Sequence, residues 1–146
     1  MNLKNFTSPQ GWFTLTLPVN WDEYDDDEGT SAFFNTELWS GNLRITPIRW
    51  DNVKDSNEDK VAKLIDDEFV KNERAKKVKI GTWDGASYTN EVEQDGEEFL
   101  IYYWSTGKNN MFFLCSFTIE KKQENSKRIN DELEVVLNIL GSIKIS

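Results

Sequence analysis

Two stretches in the second half of the chain restrict the fold more than anything else in it. "EFLIYYWS" (98–105) and "MFFLCSFTIE" (111–120) are apolar on both faces over part of their length. Both are too short and too rich in aromatic and branched residues to read as helices, which predicts strands. A strand apolar on both faces belongs in the middle of a sheet covered on both sides. The five residues "TGKNN" between them can only close a tight turn, so the pair is antiparallel. The turn "QDGE" (94–97) adds "KKVKIGTWDGASYTNEVE" (76–93) before them, alternating through Ala86, Tyr88 and Val92. A kink is expected there at Gly81 or at Asp84–Gly85.

A sheet covered on both sides needs covering layers, and the chain offers two amphipathic helices. "SNEDKVAKLIDDEFVKNERA" (56–75) places Val61, Leu64, Ile65 and Phe69 on one stripe, with Ser56 and Asp59 spaced as a capping box. "NSKRINDELEVVLNILG" (125–141) does the same with Ile129, Leu133, Val136, Leu137 and Leu140, and Gly141 ends it. The first half reads as a meander. Phe13, Leu15 and Leu17 alternate in one strand, and "TSAFFNT" (30–36) is another. "ELWSGNLRITPIRW" (37–50) reads as two strands joined at Ser40-Gly41-Asn42. Leu43 and Ile45 share one face; Arg44, Thr46 and Ile48 share the other. Pro47 lacks an N–H, which predicts an edge strand or a bulge. "SIKI" closes the chain as a short strand. The expected fold is α+β: an antiparallel sheet of about six to seven strands, packed with two helices. The 146 residues suit one domain, 1–146, large enough to bury a core without disulfide or metal.

"FTLTLPVNW" is similar to the strand, Pro, x, x, Trp opening of the PsbP-like (Mog/PsbP-type) fold superfamily, and the hairpin, helix and "ILGSIKI" ending resemble its closing portion. The resemblance runs from about Gly11 to Ile145 and points to the small bacterial families of unknown function within that group. It implies an α/β sandwich and a role in binding or assembly rather than catalysis. No ligand position of the superfamily can be matched here.

The inventory of reactive side chains is short. There is no histidine, which removes the commonest general base and the commonest metal ligand. One cysteine allows no internal disulfide and permits a reducing compartment. Cys115 falls on the strand face shared with Phe113, Phe117 and Ile119, the position of a buried small hydrophobe. Ser105-x-x-Lys108 matches a penicillin-binding motif by letters only, since it lies in a hairpin turn rather than on a helix. We expect no enzyme, no cofactor and no metal. The net charge of −9 repels nucleic-acid phosphates and anionic lipid, so neither is an expected partner. No run of about 20 apolar residues spans a membrane, and no signal-peptide core is seen. The expected home is the cytoplasm, or the periplasm or exterior if a leader has been removed.

The remaining lead is acidic. Six of the seven residues from Asp22 to Glu28 are Asp or Glu. Asp25, Asp26, Asp27 and Glu28 offer oxygen to hard cations, but an EF-hand register fails because Tyr24 would occupy its first position. A solvated loop that guards a sheet edge is the ordinary reading; docking to a basic protein is the functional one. Among six tryptophans, Trp39, Trp50 and Trp83 lie near strand ends or turns, where exposure would mark a binding patch. The sequence is therefore read as a non-catalytic binding domain. Its expected site is Asp22, Glu23, Asp25, Asp26, Asp27, Glu28, Trp39, Trp50 and Trp83. Its expected partner is a basic protein, as for an immunity-type inhibitor. The alternative is a small-ligand or metal-cation module in an aromatic-lined cleft beside the sheet.

Overall fold

A computed structural model describes residues 2–50 and 58–146. Ten strands and two helices follow in chain order: β1 (Leu3–Thr7), β2 (Phe13–Pro18), β3 (Trp21–Tyr24), β4 (Ser31–Asn35), β5 (Asn42–Arg49), α1 (Glu58–Lys71), β6 (Lys76–Ile80), β7 (Trp83–Gln94), β8 (Glu97–Lys108), β9 (Met111–Glu120), α2 (Lys127–Gly141) and β10 (Lys144–Ile145). They make an antiparallel seven-stranded sheet, β3-β4-β5-β9-β8-β7-β6, and a three-stranded sheet, β1-β2-β10. The order of meander, helix, meander, helix and final strand is the one expected from the sequence, and so is the α+β sandwich.

The two apolar strands β8 and β9 lie in the interior of the large sheet, as their composition requires. One face of that sheet carries Phe33, Leu43, Ile45, Leu100, Phe113, Cys115 and Phe117. It packs on α2, through Ile129, Val136, Ile139 and Leu140, and on β1 and β2, through Phe6, Phe13, Leu15 and Leu17. Edge-to-face contacts join the layers: Phe6 to Phe33 at 4.9 Å and Phe13 to Phe113 at 5.3 Å between ring centres. The opposite face is covered only in part. There α1 sets Val61 and Ile65 on Ala86 and Phe112.

Several boundaries differ from the sequence reading. β1 was not anticipated: its only fully buried side chain is Phe6, too weak a pattern to announce a strand. The acidic run does not begin as a loop. Asp22 and Glu23 lie within β3, an edge strand paired with Phe34 and Phe33 of β4. Residues 36–38 are a turn and Trp39 lies in no strand, because the Asn35 side chain accepts from the backbone N–H groups of Glu37 and Leu38 and so closes an Asx turn. The segment 76–93 is two strands, not one with a kink. Gly81, at φ +61°, turns the chain between Ile80 and Trp83. A methyl group there would meet the Gly141 carbonyl oxygen at 2.8 Å, so glycine also lets the end of α2 approach the hairpin. β5 is an interior strand despite Pro47. Its pairing with β4 ends at Ile45, so the proline lies where that side of the strand is open. The first helix stops at Lys71, where the Asn72 side chain donates to the Glu68 carbonyl. The second is capped by the Ser126 hydroxyl, which accepts from the Ile129 N–H. The expected cap at Ser56 lies outside the described residues.

Candidate functional site

The part of the large sheet face that α1 leaves open is built from neighbouring cross-strand rows. Following the register from strand to strand gives Tyr24, Ala32, Arg44, Ser116, Tyr103 and Tyr88, all on that face. The next row contains Thr46, Leu114 and Ser105. Ala32 and Ser116 are small, so the row dips between its larger members. A slot of about 300 Å³ results, lined by Arg44, Thr46, Tyr103, Ser105, Ser116 and the acidic loop at Asp26 and Asp27. Tyr88 and Tyr103 stack at 4.8 Å and make its aromatic side.

The acidic loop reaches this slot because two contacts pin it to the sheet. The Arg44 Nε donates to Asp26 Oδ2 at 2.7 Å, and the Thr30 and Thr46 hydroxyls share a hydrogen bond of 2.8 Å. The Asp26 side chain is only 19 % exposed. The loop thus walls the slot at Asp26, Asp27 and Thr30, while Asp25, Glu28 and Gly29 face water. Asp22, in β3, is paired instead with Lys4 of β1 at 2.8 Å. Among the described residues no ion pair engages Glu23, Asp25, Asp27 or Glu28.

A second feature adjoins the first. Tyr24 meets Phe34 edge to face at 5.7 Å, and Phe34 meets Trp39 at 5.1 Å. Asp22 stands directly across from Phe34. The result is a continuous aromatic and acidic margin along β3, β4 and the turn after β4. Trp39 is 67 % exposed and sits at φ +36°, in the left-handed region. Its indole N–H donates to Asn42 Oδ1. The turn that carries it is held from below. Glu132 of α2, 4 % exposed, accepts from the Ser40 hydroxyl at 2.9 Å and from the Asn35 amide at 3.4 Å. Gly41 lies so close to the Phe117 ring that a methyl group would meet it at 2.5 Å.

The other two tryptophans are not part of this margin. Trp50 is half-buried against the α1 cluster, with the Lys60 ammonium 4.7 Å from its ring centre. Trp83 is half-buried on the other face, stacked on Phe113 at 6.0 Å. The structure therefore joins Trp39 to Asp22 and its neighbours through Tyr24 and Phe34, and places Trp50 and Trp83 elsewhere.

The alternative reading expects an aromatic-lined cleft beside the sheet, but the sequence does not show which residues line the slot, nor the role of Glu132. The alternation places Arg44 and Thr46 on one face, but their partners Ser116, Tyr103 and Tyr88 come from strands distant in sequence. Glu132 did leave a signal, since it falls three residues after Ile129 and four before Val136, on the apolar stripe of its helix. Cys115 is buried as expected, and burial pushes its thiol up to about 12. Among the described residues no group of three or more Cys, Asp or Glu side chains is arranged to hold a metal.

No curated protein matches the sequence. A crystal structure from Bacteroides thetaiotaomicron VPI-5482 matches all of this chain at 30% identity and a TM-score of 0.82, and the chain spans 49% of that longer one. LpqN, described as involved in cell envelope biogenesis of Mycobacterium tuberculosis, is 9% identical. It matches 99% of this chain and 91% of its own at a TM-score of 0.57, which shows a common fold. Cyanobacterial PsbP (CyanoP) from Synechocystis sp. PCC 6803 aligns over 99% of this chain and 92% of its own, at 10% identity and a TM-score of 0.45. The fold shared with LpqN is the α+β sandwich described above. A family model matches residues 1–143, and the chain belongs to that family, the domain of unknown function DUF3805.

Proposed function

We propose that this protein is a non-catalytic binding domain that docks a basic protein through the margin formed by β3, β4 and the Trp39 turn. The observation that carries the reading is Trp39. A tryptophan 67 % exposed, held at a left-handed φ, sits poorly with solvent and backbone alike. Exposed, preorganised tryptophans are what interface anchors look like before the partner arrives. The neighbouring charge selects the partner. Glu23, Asp25, Asp27 and Glu28 have no ion pair among the described residues, and Asp22 lies across from Phe34. Lysine or arginine side chains of a partner gain both the carboxylates and the face of the indole. The same arrangement suits an immunity-type inhibitor, which covers the basic cleft of an enzyme that handles phosphates.

Affinity capture with the protein as bait tests this, provided that the captured protein is identified and its affinity measured. The expected result is a stoichiometric basic protein whose affinity falls at least about tenfold with Trp39→Ala, the size of an interface anchor. Its association should also weaken steeply at high salt. Equal affinity for wild type and Trp39→Ala would refute the assignment of the margin. Among the described residues no helix is long and apolar enough to cross a membrane.

A further inference from the structure

The slot adjoins the docking margin and shares Asp27 with it, while Arg44, Ser105, Ser116 and the tyrosine pair belong to the sheet alone. Its volume, about 300 Å³, holds about ten non-hydrogen atoms at about 30 Å³ for each water-sized group. Its floor presents the hydroxyls of Ser116, Ser105 and Thr46, each able to donate or accept. Its charges are of both signs. Arg44 uses Nε for Asp26, and its two terminal nitrogens make no hydrogen bond among the described residues. The Asp27 carboxylate likewise has no hydrogen bond or ion pair there. A ligand of one sign would satisfy one of these groups and be repelled by the other. A small zwitterion satisfies both, because a guanidinium fork fits a carboxylate and a carboxylate fits an ammonium. The stacked Tyr88 and Tyr103 then offer apolar surface to whatever side chain the ligand bears.

We infer that the slot binds a small zwitterion of the α-amino-acid class. The ligand carboxylate lies on Arg44, its ammonium on Asp27 and its side chain along Tyr103. The site would make the domain responsive to a free amino acid, whatever protein the margin docks.

Nuclear magnetic resonance titration of the ¹⁵N-labelled protein tests the inference. The probes are glycine, L-phenylalanine and L-arginine, with 3-phenylpropionate and 2-phenylethylamine as the two half-ligands. At least one amino acid should move the amide signals of Ser105, Ser116 and Tyr103 saturably. Both half-ligands should bind at least about tenfold more weakly, since each loses a charge-assisted contact. Asp27→Asn removes no internal contact of the described structure and should reduce amino-acid affinity about tenfold, while leaving 3-phenylpropionate unchanged. Arg44→Gln should weaken the amino acid and 3-phenylpropionate more than 2-phenylethylamine, because the Thr30–Thr46 hydrogen bond still holds the loop that carries Asp27. Three results would overturn the inference: no saturable shift from any of the three amino acids at about 20 mM, a half-ligand binding as tightly as the amino acid, or undiminished binding to Asp27→Asn.

Discussion

The hydroxyl of Tyr24 is closed off from solvent, and no described group hydrogen-bonds it. Burial raises its pKa; the Arg44 guanidinium pulls the other way, and Asp26 adds to the rise. A buried hydroxyl without a partner costs about 1–3 kcal/mol, so removing it should help. Tyr24→Phe is expected to raise stability by about 1 kcal/mol, read from the midpoint of urea unfolding. Glu132 makes the opposite case. It is a buried carboxylate that accepts hydrogen bonds from the Ser40 hydroxyl and the Asn35 amide, and both belong to the turn that presents Trp39. Glu132→Ala leaves those two groups without their acceptor and should lower stability by about 2 kcal/mol. It should also speed hydrogen exchange at the Trp39 N–H, which donates to the Asn35 carbonyl. An unchanged exchange rate would show that α2 does not hold the turn. Cys115 is a third residue with a plain expectation. With its thiol pushed up to about 12 by burial, it should resist thiol reagents at pH 8 until the protein unfolds.

At the scale of elements, the contact between the β6–β7 hairpin and the end of α2 is the tightest test of the packing. Gly81→Ala places a methyl group 2.8 Å from the Gly141 carbonyl oxygen at a φ that disfavours any side chain. It should destabilise by about 2 kcal/mol or more, against about zero for an exposed alanine substitution. The elements with strong periodicity were legible in the sequence: α1 and α2 from their stripes, β8 and β9 from apolar faces bounded by tight turns. What escaped has a common physical origin. β1 and β3 are short and bury only Phe6 and Trp21 fully from solvent, and each is defined by its partner strand rather than by its own pattern. The turn at 36–38 is made by one side chain, Asn35, that no alternation reveals. The slot is harder still. Arg44, Ser116, Tyr103 and Tyr88 are brought into one row by registers across four strands, and register is a property of the sheet. The acidic margin was visible as composition, but its link to Trp39 through Tyr24 and Phe34 was not.

For the whole molecule, charge dominates the expected behaviour. With no histidine and 26 acidic residues, no side chain of ordinary pKa titrates between pH 6 and 8. The unfolding free energy should be nearly flat there. Toward acid it should fall. Asp84, for one, is held below its ordinary value of 3.8 by its hydrogen bond to Lys79 and by that lysine's charge. Its stabilisation is therefore present above that value and lost as pH drops through the folded pKa. Toward base the signs reverse. Cys115 stays protonated in the folded state up to about 12, against 9.0 ordinarily, so its contribution is complete below pH 9 and lost as pH rises beyond it. Thermal unfolding from pH 3 to 10 checks the profile, and a maximum slope between pH 6 and 8 would contradict it.

The net charge of −9 also frames the central claim, that a basic protein docks beside Trp39. A photo-activated cross-linking residue at position 39, in the cells that make the protein, tests it most directly. The control is the same residue at Val70, which is 84 % exposed on α1 and away from the margin. The prediction is a single basic protein joined to position 39 but not to position 70, and lost when Asp22, Asp25 and Asp27 are changed to Asn. The same adducts at both positions, or none at position 39, would contradict it.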